Sequence, residues 1–352
     1  MDVTRKRVAV IFGGRSGEHE VSIVSARSVM AALDPARWEA VPIGISRSGD
    51  WLTPDETRAA LESGARAFHG LGRPLLNATE ALAALASCDV AFPLVHGTFG
   101  EDGTLQGFLE MAGMPYAGAG VAASAIGMDK ALMKALFREA GIPVARYSVI
   151  RSWEYTLHQN TSMALIEDAI GYPCFVKPAN GGSSVGITKV RSREDLPRAF
   201  AAAFACDDKV VVEEAITGRE LECSVLGNEQ PEASVVGEIV PDREFYDYDS
   251  KYDPASKTEL YIPAPVTRAV AEDARELALR MYRVMGCEGY ARVDFFLTPG
   301  DRLIANEVNT IPGFTSISMY PKLWEASGLP YRELLTRILE LAFERHARRP
   351  RP

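Results

Sequence analysis

The sequence predicts an α/β fold in the first third of the chain and an α+β fold in the remainder. In the first third, short apolar strands alternate with helical segments, an order typical of a mostly parallel sheet. From about residue 144 to residue 226, short strands instead follow one another, and two more strands follow a long helix near the C-terminus. With 352 residues, these patterns indicate more than one domain.

The first third begins with a β-branched strand, residues 7–12 (RVAVIF), which ends at Gly13 and Gly14. A helix is predicted from about Val21 to Leu33, and residues 91–95 (AFPLV) form the next strand. Apolar residues at spacing i, i+3, i+4 and i+7 predict a further helix with one apolar face. These residues are Leu105, Phe108, Leu109 and Ala112.

A second unit is predicted to begin near Gly127, with a helix that Gly141 and Pro143 end. Its predicted strands are residues 144–150, 174–177, 186–190, 210–213 and 221–226. The polar and aromatic stretch 244–261 lacks apolar periodicity and is predicted to be a long loop that acts as a lid. The chain is completed by a helix over 270–284, strands over 290–297 and 302–308, a helix over 334–342, and a solvated basic tail.

Composition excludes several classes of partner. The formal net charge of −9 argues against nucleic acid or an anionic membrane, so anionic ligands must be held by local cations. The five cysteines are scattered without a CxxC pair, as in reduced proteins. No apolar run approaches the roughly 18 residues of a membrane span, and the N-terminal run is too short for a secretion signal. A cytoplasmic protein is therefore expected.

Two carboxylates and an amide are predicted to meet on the last two strands. Residues two apart in a strand share a face, so Arg292 and Asp294 point one way, as do Glu307 and Asn309. If the strands pair as a hairpin, Asp294, Glu307 and Asn309 converge, and this all-oxygen set suits Mg²⁺ with phosphate oxygens. The alternative is a solvated face on which the carboxylates pair with Arg or Lys.

A loop rich in glycine and serine, residues 177–186 (KPANGGSSVG), follows a strand. Its backbone N–H groups and hydroxyls can bind phosphate, with Lys177 supplying positive charge. The segment GSSVG also matches the GxSxG elbow of serine hydrolases, but a strand and not a helix is predicted after it. No GxxxxGK[ST] or GxGxxG motif is present.

Two groups of acidic residues are further candidates. Glu18, His19 and Glu20 follow the first strand, at the edge where open parallel sheets bind ligands, although they also suit a helix N-terminus. Glu213 and Glu220 follow an apolar strand, either as a solvated strand end or as a hinge that binds adenine and ribose.

Seven stretches together resemble the successive signatures of the D-alanine–D-alanine ligase family, and the resemblance extends from about Arg7 to His346. They are GGRSGEHEVS, HGTFGEDGTLQG, GMDKALMK, KPANGGSSVG, YDSKY, GYARVDFF and NEVNTIPGFTSISMYPKLWEASG. The resemblance implies an ATP-grasp fold: an N-terminal Rossmann-like parallel-sheet domain (1–126), a central lid domain (127–222) and a C-terminal antiparallel-sheet domain (223–352). It also implies a mobile loop at 243–260, a homodimer, and synthesis of D-alanyl-D-alanine for peptidoglycan.

The resemblance further implies that ATP phosphorylates one D-alanine and that the amine of a second attacks the acyl-phosphate. Two Mg²⁺ ions, with Mn²⁺ as an alternative, would be held by Asp294, Glu307 and Asn309. Phosphate would be contacted by Lys130, Lys177, Lys251 and Ser184, and adenine and ribose by Glu213, the backbone near Ile216, and Glu220. The substrates would meet Glu18, His96 and Ser318, with Arg292 and the Gly313 N–H on the oxyanion.

Glu18, Ser183 and Tyr252 would form a hydrogen-bonded triad that closes the loop over the site. Glu214 occupies a position where some relatives carry Lys or Gln, which leaves its role open. Two alternatives remain: a D-alanine–D-lactate ligase, disfavoured by the pair Lys251 and Tyr252, and a non-catalytic ATP-binding regulator.

Overall fold

The structure, a computed structural model, describes residues 5–64, 68–182, 184–241, 258–315 and 317–348. Within these ranges the strands form three sheets, one parallel and two antiparallel. This confirms the predicted combination of α/β and α+β structure. None of the helices in the described part of the chain is long and apolar enough to cross a lipid bilayer.

The parallel sheet has the order β2-β1-β3. Its strands are β1 (Lys6–Gly13), β2 (Trp38–Ile45) and β3 (Val90–Pro93). The helices of this part of the chain are α1 (His19–Ala32), α2 (Pro54–Glu62), α3 (Thr79–Ala86), α4 (Thr104–Met111) and α5 (Val121–Met128). Alternate residues of β1 enter two different apolar cores, so both faces of the sheet are covered, as parallel sheets require. The sequence prediction missed β2, whose Pro42 and Gly44 are unusual in strands.

A four-stranded antiparallel sheet follows, with the order β4-β7-β5-β6. Its strands are β4 (Tyr147–Arg151), β5 (Cys174–Pro178), β6 (Thr188–Val190) and β7 (Lys209–Glu214), close to the predicted positions. Two helices, α7 (Ser152–Ala169) and α8 (Leu196–Phe204), were not predicted. The first buries only Ser162, Met163 and Ile166 and is non-helical at His158, so it lacks a regular apolar stripe.

The largest sheet has the order β10-β9-β8-β11-β12. Its strands are β8 (Arg219–Leu226), β9 (Glu232–Val240), β10 (Glu259–Tyr261), β11 (Tyr290–Thr298) and β12 (Arg302–Asn309). The remaining helices of the described residues are α6 (Lys130–Glu139), α9 (Arg268–Val284), α10 (Met319–Ala326) and α11 (Tyr331–Arg348). The predicted loop over 244–261 is wrong at its end, since β10 pairs there with β9; residues 242–257 lie outside the described ranges.

The apolar cores do not follow the predicted domain segments. The boundary at 126/127 falls within α5 and the boundary at 222/223 within β8. Met133 and Phe137 of α6 pack in the same core as the largest sheet, because the apolar stripe of this helix faces that sheet and not the central one. The domain boundaries at 126/127 and 222/223 thus stay a prediction, and the apolar cores group residues from both sides of these boundaries.

The predicted basic tail begins within the last helix. The last helix continues to Arg348, which forms an ion pair with Glu288 at 2.6 Å. Arg345 is buried and donates hydrogen bonds to the carbonyl oxygens of Tyr116, at 2.9 Å, and Gly118. These contacts fasten the C-terminal helix to the segment that follows the parallel sheet.

Candidate active site

A cavity of about 780 Å³ is lined by residues of the two antiparallel sheets and by loop residues, including those after β1 and β3 of the parallel sheet. Every residue to which the family resemblance assigns a role, and that the structure describes, lines it. These are Glu18, His96, Lys130, Lys177, Ser184, Glu213, Ile216, Glu220, Arg292, Asp294, Glu307, Asn309, Gly313 and Ser318. The other three, Ser183, Lys251 and Tyr252, lie outside the described residues.

The hairpin of β11 and β12 brings the predicted polar groups together. Asp294 lies directly opposite Glu307, and Arg292 opposite Asn309. The Arg292 guanidinium donates two hydrogen bonds of 2.7 Å, from Nε and Nη2, to the carboxylate of Asp294. Although burial alone would lower it, the pKa of Arg292 is raised well above its usual value by Asp294 and by Glu222. Arg292 therefore remains a cation in the cavity wall.

Glu222 is a site residue that the sequence analysis missed. It lies on β8 opposite Asp294, is 4% exposed, and places Oε2 3.0 Å from Nε of Arg292. The signal was present, because Glu220 and Glu222 are two apart in one strand and must share a face. The guanidinium is thus held between two buried carboxylates.

The hairpin residues fit a magnesium site in their donor chemistry. Asp294 and Glu307 supply carboxylate oxygens, and Asn309 supplies an amide oxygen that accepts a hydrogen bond of 3.1 Å from the Ile311 N–H. A carboxylate has about four lone-pair sites, so Asp294 can bind Arg292 and a cation together. In the described ranges no three His, Cys, Asp or Glu side chains cluster as metal ligands. Phosphate and water oxygens would therefore have to complete the shell, as Mg²⁺ commonly requires.

Two lysines approach the glycine-rich loop. Lys130 donates a hydrogen bond of 2.6 Å from Nζ to the carbonyl oxygen of Gly181, and Lys177 lies at the start of the loop on β5. Burial lowers the pKa of Lys130, and nearby Lys177 lowers it further. The loop turns through Ser184 at φ 61° and Gly186 at φ 75°, and the strand β6 follows it. This confirms the predicted strand and excludes the strand-to-helix turn of a serine-hydrolase elbow.

Glu213 at the end of β7 is a strongly acidic group in the cavity wall. Burial would raise its pKa, but Lys134 and Lys177 hold the pKa of Glu213 at about 2. Lys134 was not predicted, although it lies four residues after Lys130 and therefore on the same side of α6.

Next to Glu213, the carboxylate of Glu214 accepts hydrogen bonds from Arg146, at 2.8 Å from its backbone N–H and 2.7 Å from Nε.

On the opposite wall, Glu18 lies beside both the parallel sheet and the glycine-rich loop. A Cβ added to Gly182 would lie 2.8 Å from Oε2 of Glu18, so the loop backbone approaches this carboxylate closely. His96 is buried, with Nδ1 2.9 Å from the Ile311 carbonyl oxygen and 3.6 Å from Oε1 of Glu101. Burial raises the pKa of the Glu101 carboxyl. For His96, burial alone would lower the pKa, but the neighbouring Glu101 raises it above its ordinary value.

His19 and Glu20 do not line the cavity. His19 is buried with Nδ1 2.7 Å from the Gly14 carbonyl oxygen, and Glu20 forms an ion pair with Arg47. Of the three residues predicted at this edge, the structure brings only Glu18 into the site.

Gly313 and Ser318 lie next to each other on the remaining wall. A Cβ added to Gly313 would lie 2.6 Å from Oγ of Ser318, and the Thr315 N–H donates a hydrogen bond of 3.0 Å to the same oxygen. Ser318 is the N-cap of α10. A helix N-terminus favours an anion such as a carboxylate, so this wall suits the acidic end of a small substrate.

Two family models match the chain: "D-ala D-ala ligase N-terminus" over residues 7–119 and "D-ala D-ala ligase C-terminus" over residues 136–340. A D-alanine–D-alanine ligase from Chlorobium chlorochromatii is 49% identical, covering 97% of this chain and 99% of the relative. D-alanine–D-alanine ligase A from Escherichia coli is 45% identical, covering 97% and 96%.

Solved structures agree with this comparison. The D-alanine–D-alanine ligase from Coxiella burnetii has a TM-score of 0.80 at 35% identity, covering 97% of this chain and 95% of that chain. The VanG D-Ala:D-Ser ligase from Enterococcus faecalis has a TM-score of 0.81 at 34% identity, covering 96% of this chain and 100% of that chain.

Proposed function

Because the chain belongs to the D-alanine–D-alanine ligase family, we propose that it joins two D-alanine molecules at the expense of ATP. The carboxylate of the first D-alanine receives the terminal phosphoryl group, and the amine of the second attacks the resulting acyl-phosphate and releases phosphate. The observation that carries this proposal is the convergence of Arg292, Asp294, Glu307 and Asn309 with Lys130 in one cavity. A reaction between a carboxylate and a triphosphate needs this density of cationic and metal-binding groups, since its reactants are anions.

The nucleotide would occupy the side of the cavity between the central and largest sheets. Lys130 and Lys177 are ammonium groups at the glycine-rich loop and suit the phosphates, with Ser184 in the loop itself. Glu213, the backbone near Ile216, and Glu220 line the adjoining wall and suit adenine and ribose.

Asp294, Glu307 and Asn309 would hold two Mg²⁺ ions, or Mn²⁺ in their place. When bound, the ions neutralise phosphate charge during phosphoryl transfer. The protein itself contributes two carboxylates and an amide on one face of the hairpin, with Arg292 beside them.

The two amino acids would occupy the wall formed by the parallel sheet and α10. Glu18 would bind the ammonium of the first D-alanine, with His96 near its carboxylate. Ser318 would bind the carboxylate of the second, at the N-terminus of α10. Arg292 and the Gly313 N–H would donate hydrogen bonds to the oxyanion that forms when the amine attacks.

Water must be kept from the acyl-phosphate, and we assign this role to the loop over residues 243–260. In this proposal Tyr252 bonds with Ser183 and Glu18 as the loop closes, and Lys251 reaches phosphate. The close approach of Gly182 to Glu18 supports it, because it brings the described part of the glycine-rich loop against this carboxylate.

We further propose that the enzyme is a homodimer, on the family resemblance alone, and that it acts in the cytoplasm, where ATP is available. Light scattering after gel filtration would test the first statement; a monomer at micromolar concentration would contradict it. The three segments 1–126, 127–222 and 223–352 stay the proposed division of the chain into domains.

The activity is tested by phosphate release from ATP and Mg²⁺ with D-alanine, beside L-alanine and beside D-alanine plus D-lactate, with the product mass measured. The proposal expects D-alanyl-D-alanine from D-alanine alone and no product from L-alanine. Folded protein that binds ATP but turns over no amino acid would refute the proposal. A depsipeptide as the main product would show that the enzyme forms an ester and not a dipeptide.

A further inference from the structure

Lys134 is a buried cation whose place in the fold the reaction described above does not explain. Its side chain is 2% exposed, although it lies on the second turn of α6 among residues of an apolar core. Burying an ammonium group costs free energy unless a carboxylate compensates it. The compensation is Glu213, whose Oε2 lies 2.8 Å from Nζ of Lys134.

The same carboxylate is held from its other side. Nζ of Lys177 contacts Oε1 of Glu213, so each carboxylate oxygen has an ammonium of its own. Glu213 is 3% exposed and lines the cavity, whereas Lys134 is absent from the cavity lining in the described part of the chain. Lys134 therefore reaches a ligand only through Glu213.

The surroundings of Glu213 suit a flat aromatic base. Phe175 lies opposite Glu213 across β5 and β7, and Ile216 and Pro173 line the same part of the cavity. An ionised carboxylate can only accept hydrogen bonds, and each of its oxygens keeps a lone pair beyond the one that a lysine occupies.

We propose that Lys134 is a positioning residue that sets base selectivity: it fixes Glu213 as an anionic acceptor, so that the cavity takes a purine with an amino group and disfavours one with an oxo group. This rests on the proposed use of ATP. A carbonyl oxygen facing the carboxylate would be repelled and would leave both buried groups without a donor, which is how polar sites reject close analogues.

The test compares ATP with inosine triphosphate, which carries an oxo group in place of the 6-amino group, as phosphoryl donors with D-alanine. Lys134→Met removes the ammonium while keeping an unbranched side chain of similar length. We expect the ratio of kcat/KM for ATP over that for inosine triphosphate to fall roughly tenfold or more, through a higher KM for ATP. The kcat at saturating ATP should stay near wild type, because Lys134 contacts no reacting atom.

Lys209→Met is the matched control. Lys209 is a second buried lysine, paired with Asp129, the N-cap residue of the same helix. A loss of stability alone would affect both variants alike, so the control should melt at a lower temperature yet keep the wild-type nucleotide ratio. An equal fall of the ratio in both variants would reduce Lys134 to a structural role and overturn the proposal.

A second variant covers the case in which Lys134→Met does not fold. Lys134→Gln keeps a group that can donate to Glu213 but removes the charge, and its nucleotide ratio should also fall. An unchanged ratio in either folded variant overturns the inference, as does a wild-type chain that uses inosine triphosphate as well as ATP. Wild-type protein inactive with D-alanine and both nucleotides would instead mean that the ligase proposal itself fails.

Discussion

Replacing Arg292 by lysine separates its two proposed tasks, which are to neutralise its neighbours and to stabilise the oxyanion. Its guanidinium donates two hydrogen bonds of 2.7 Å to Asp294 and lies 3.0 Å from Glu222. Alanine would remove the guanidinium that both buried carboxylates contact. This should destabilise the fold by about 3–5 kcal/mol, so that unfolding could be mistaken for lost catalysis. Lysine keeps the positive charge but lacks the two parallel N–H donors of the guanidinium. At least one charged hydrogen bond is therefore lost, which should lower the free energy of unfolding by about 1.5–3 kcal/mol.

The loss of turnover should be larger than this stability change suggests. Removing one donor from an oxyanion site typically lowers kcat by about 10²–10³-fold. The single ammonium group of lysine cannot reach Asp294 and the oxyanion together. The assay is phosphate release at saturating ATP and D-alanine, with KM for each substrate and a urea melt of each variant. Normal kcat with a raised KM for ATP would refute the oxyanion role and assign Arg292 to nucleotide binding.

Arg345→Lys is the control for this experiment. Arg345 is another buried arginine with two hydrogen bonds, to the carbonyl oxygens of Tyr116 and Gly118, and it does not line the cavity. Its replacement should cost stability and leave kcat unchanged. A comparable loss of kcat in both variants would indicate that general loosening of the fold, and not the loss of a donor, lowers turnover.

Three further predictions concern Gly13, Glu213 and Tyr252. Gly13 has φ 93°, and an added Cβ would lie 2.1 Å from the Ile45 carbonyl oxygen, so Gly13→Ala should destabilise the fold by at least about 2 kcal/mol in urea melts. The pKa of Glu213 is about 2 against an ordinary 4.5, so its ionised form adds stability above pH 4.5 that is lost as the pH falls towards 2. Melts over pH 2–6 should show this loss, about 3 kcal/mol, in wild type and not in Glu213→Gln. Tyr252→Phe should let D-lactate compete with D-alanine as the second substrate, measured by product mass over pH 6–9.

Each of these has an outcome that contradicts it. Gly107→Ala lies within α4, where an added Cβ meets nothing within 4 Å, and should stabilise by about 1 kcal/mol; equal effects at both glycines would refute the steric argument. If wild type and Glu213→Gln lose the same stability as the pH falls, the Glu213 carboxylate is not held ionised by its lysines. If Tyr252→Phe keeps the wild-type preference for D-alanine over D-lactate, Tyr252 is not part of the proposed triad.

The sequence by itself determined the elements whose pattern is local. The β-branched run at residues 7–12, the apolar stripes of α4, α6 and α9, and the period-two spacing of Asp294 and Arg292 are each fixed by neighbours a few residues away. Period two places alternate side chains of each late strand on one face, and the carboxylates meet because the two strands do pair as a hairpin. Helix α7, whose apolar residues lack a regular spacing, gave no such signal.

Only the tertiary structure decided which charges meet. Lys134 looked like one more polar position on an amphipathic helix until β7 brought Glu213 against it, and Glu222 looked like a strand residue until β8 lay beside β11. These partners are far apart in sequence, and local propensity contains no information about which strand lies next to which. Burial then decides the chemistry, because removing water strengthens each charge interaction and makes every unpaired charge costly.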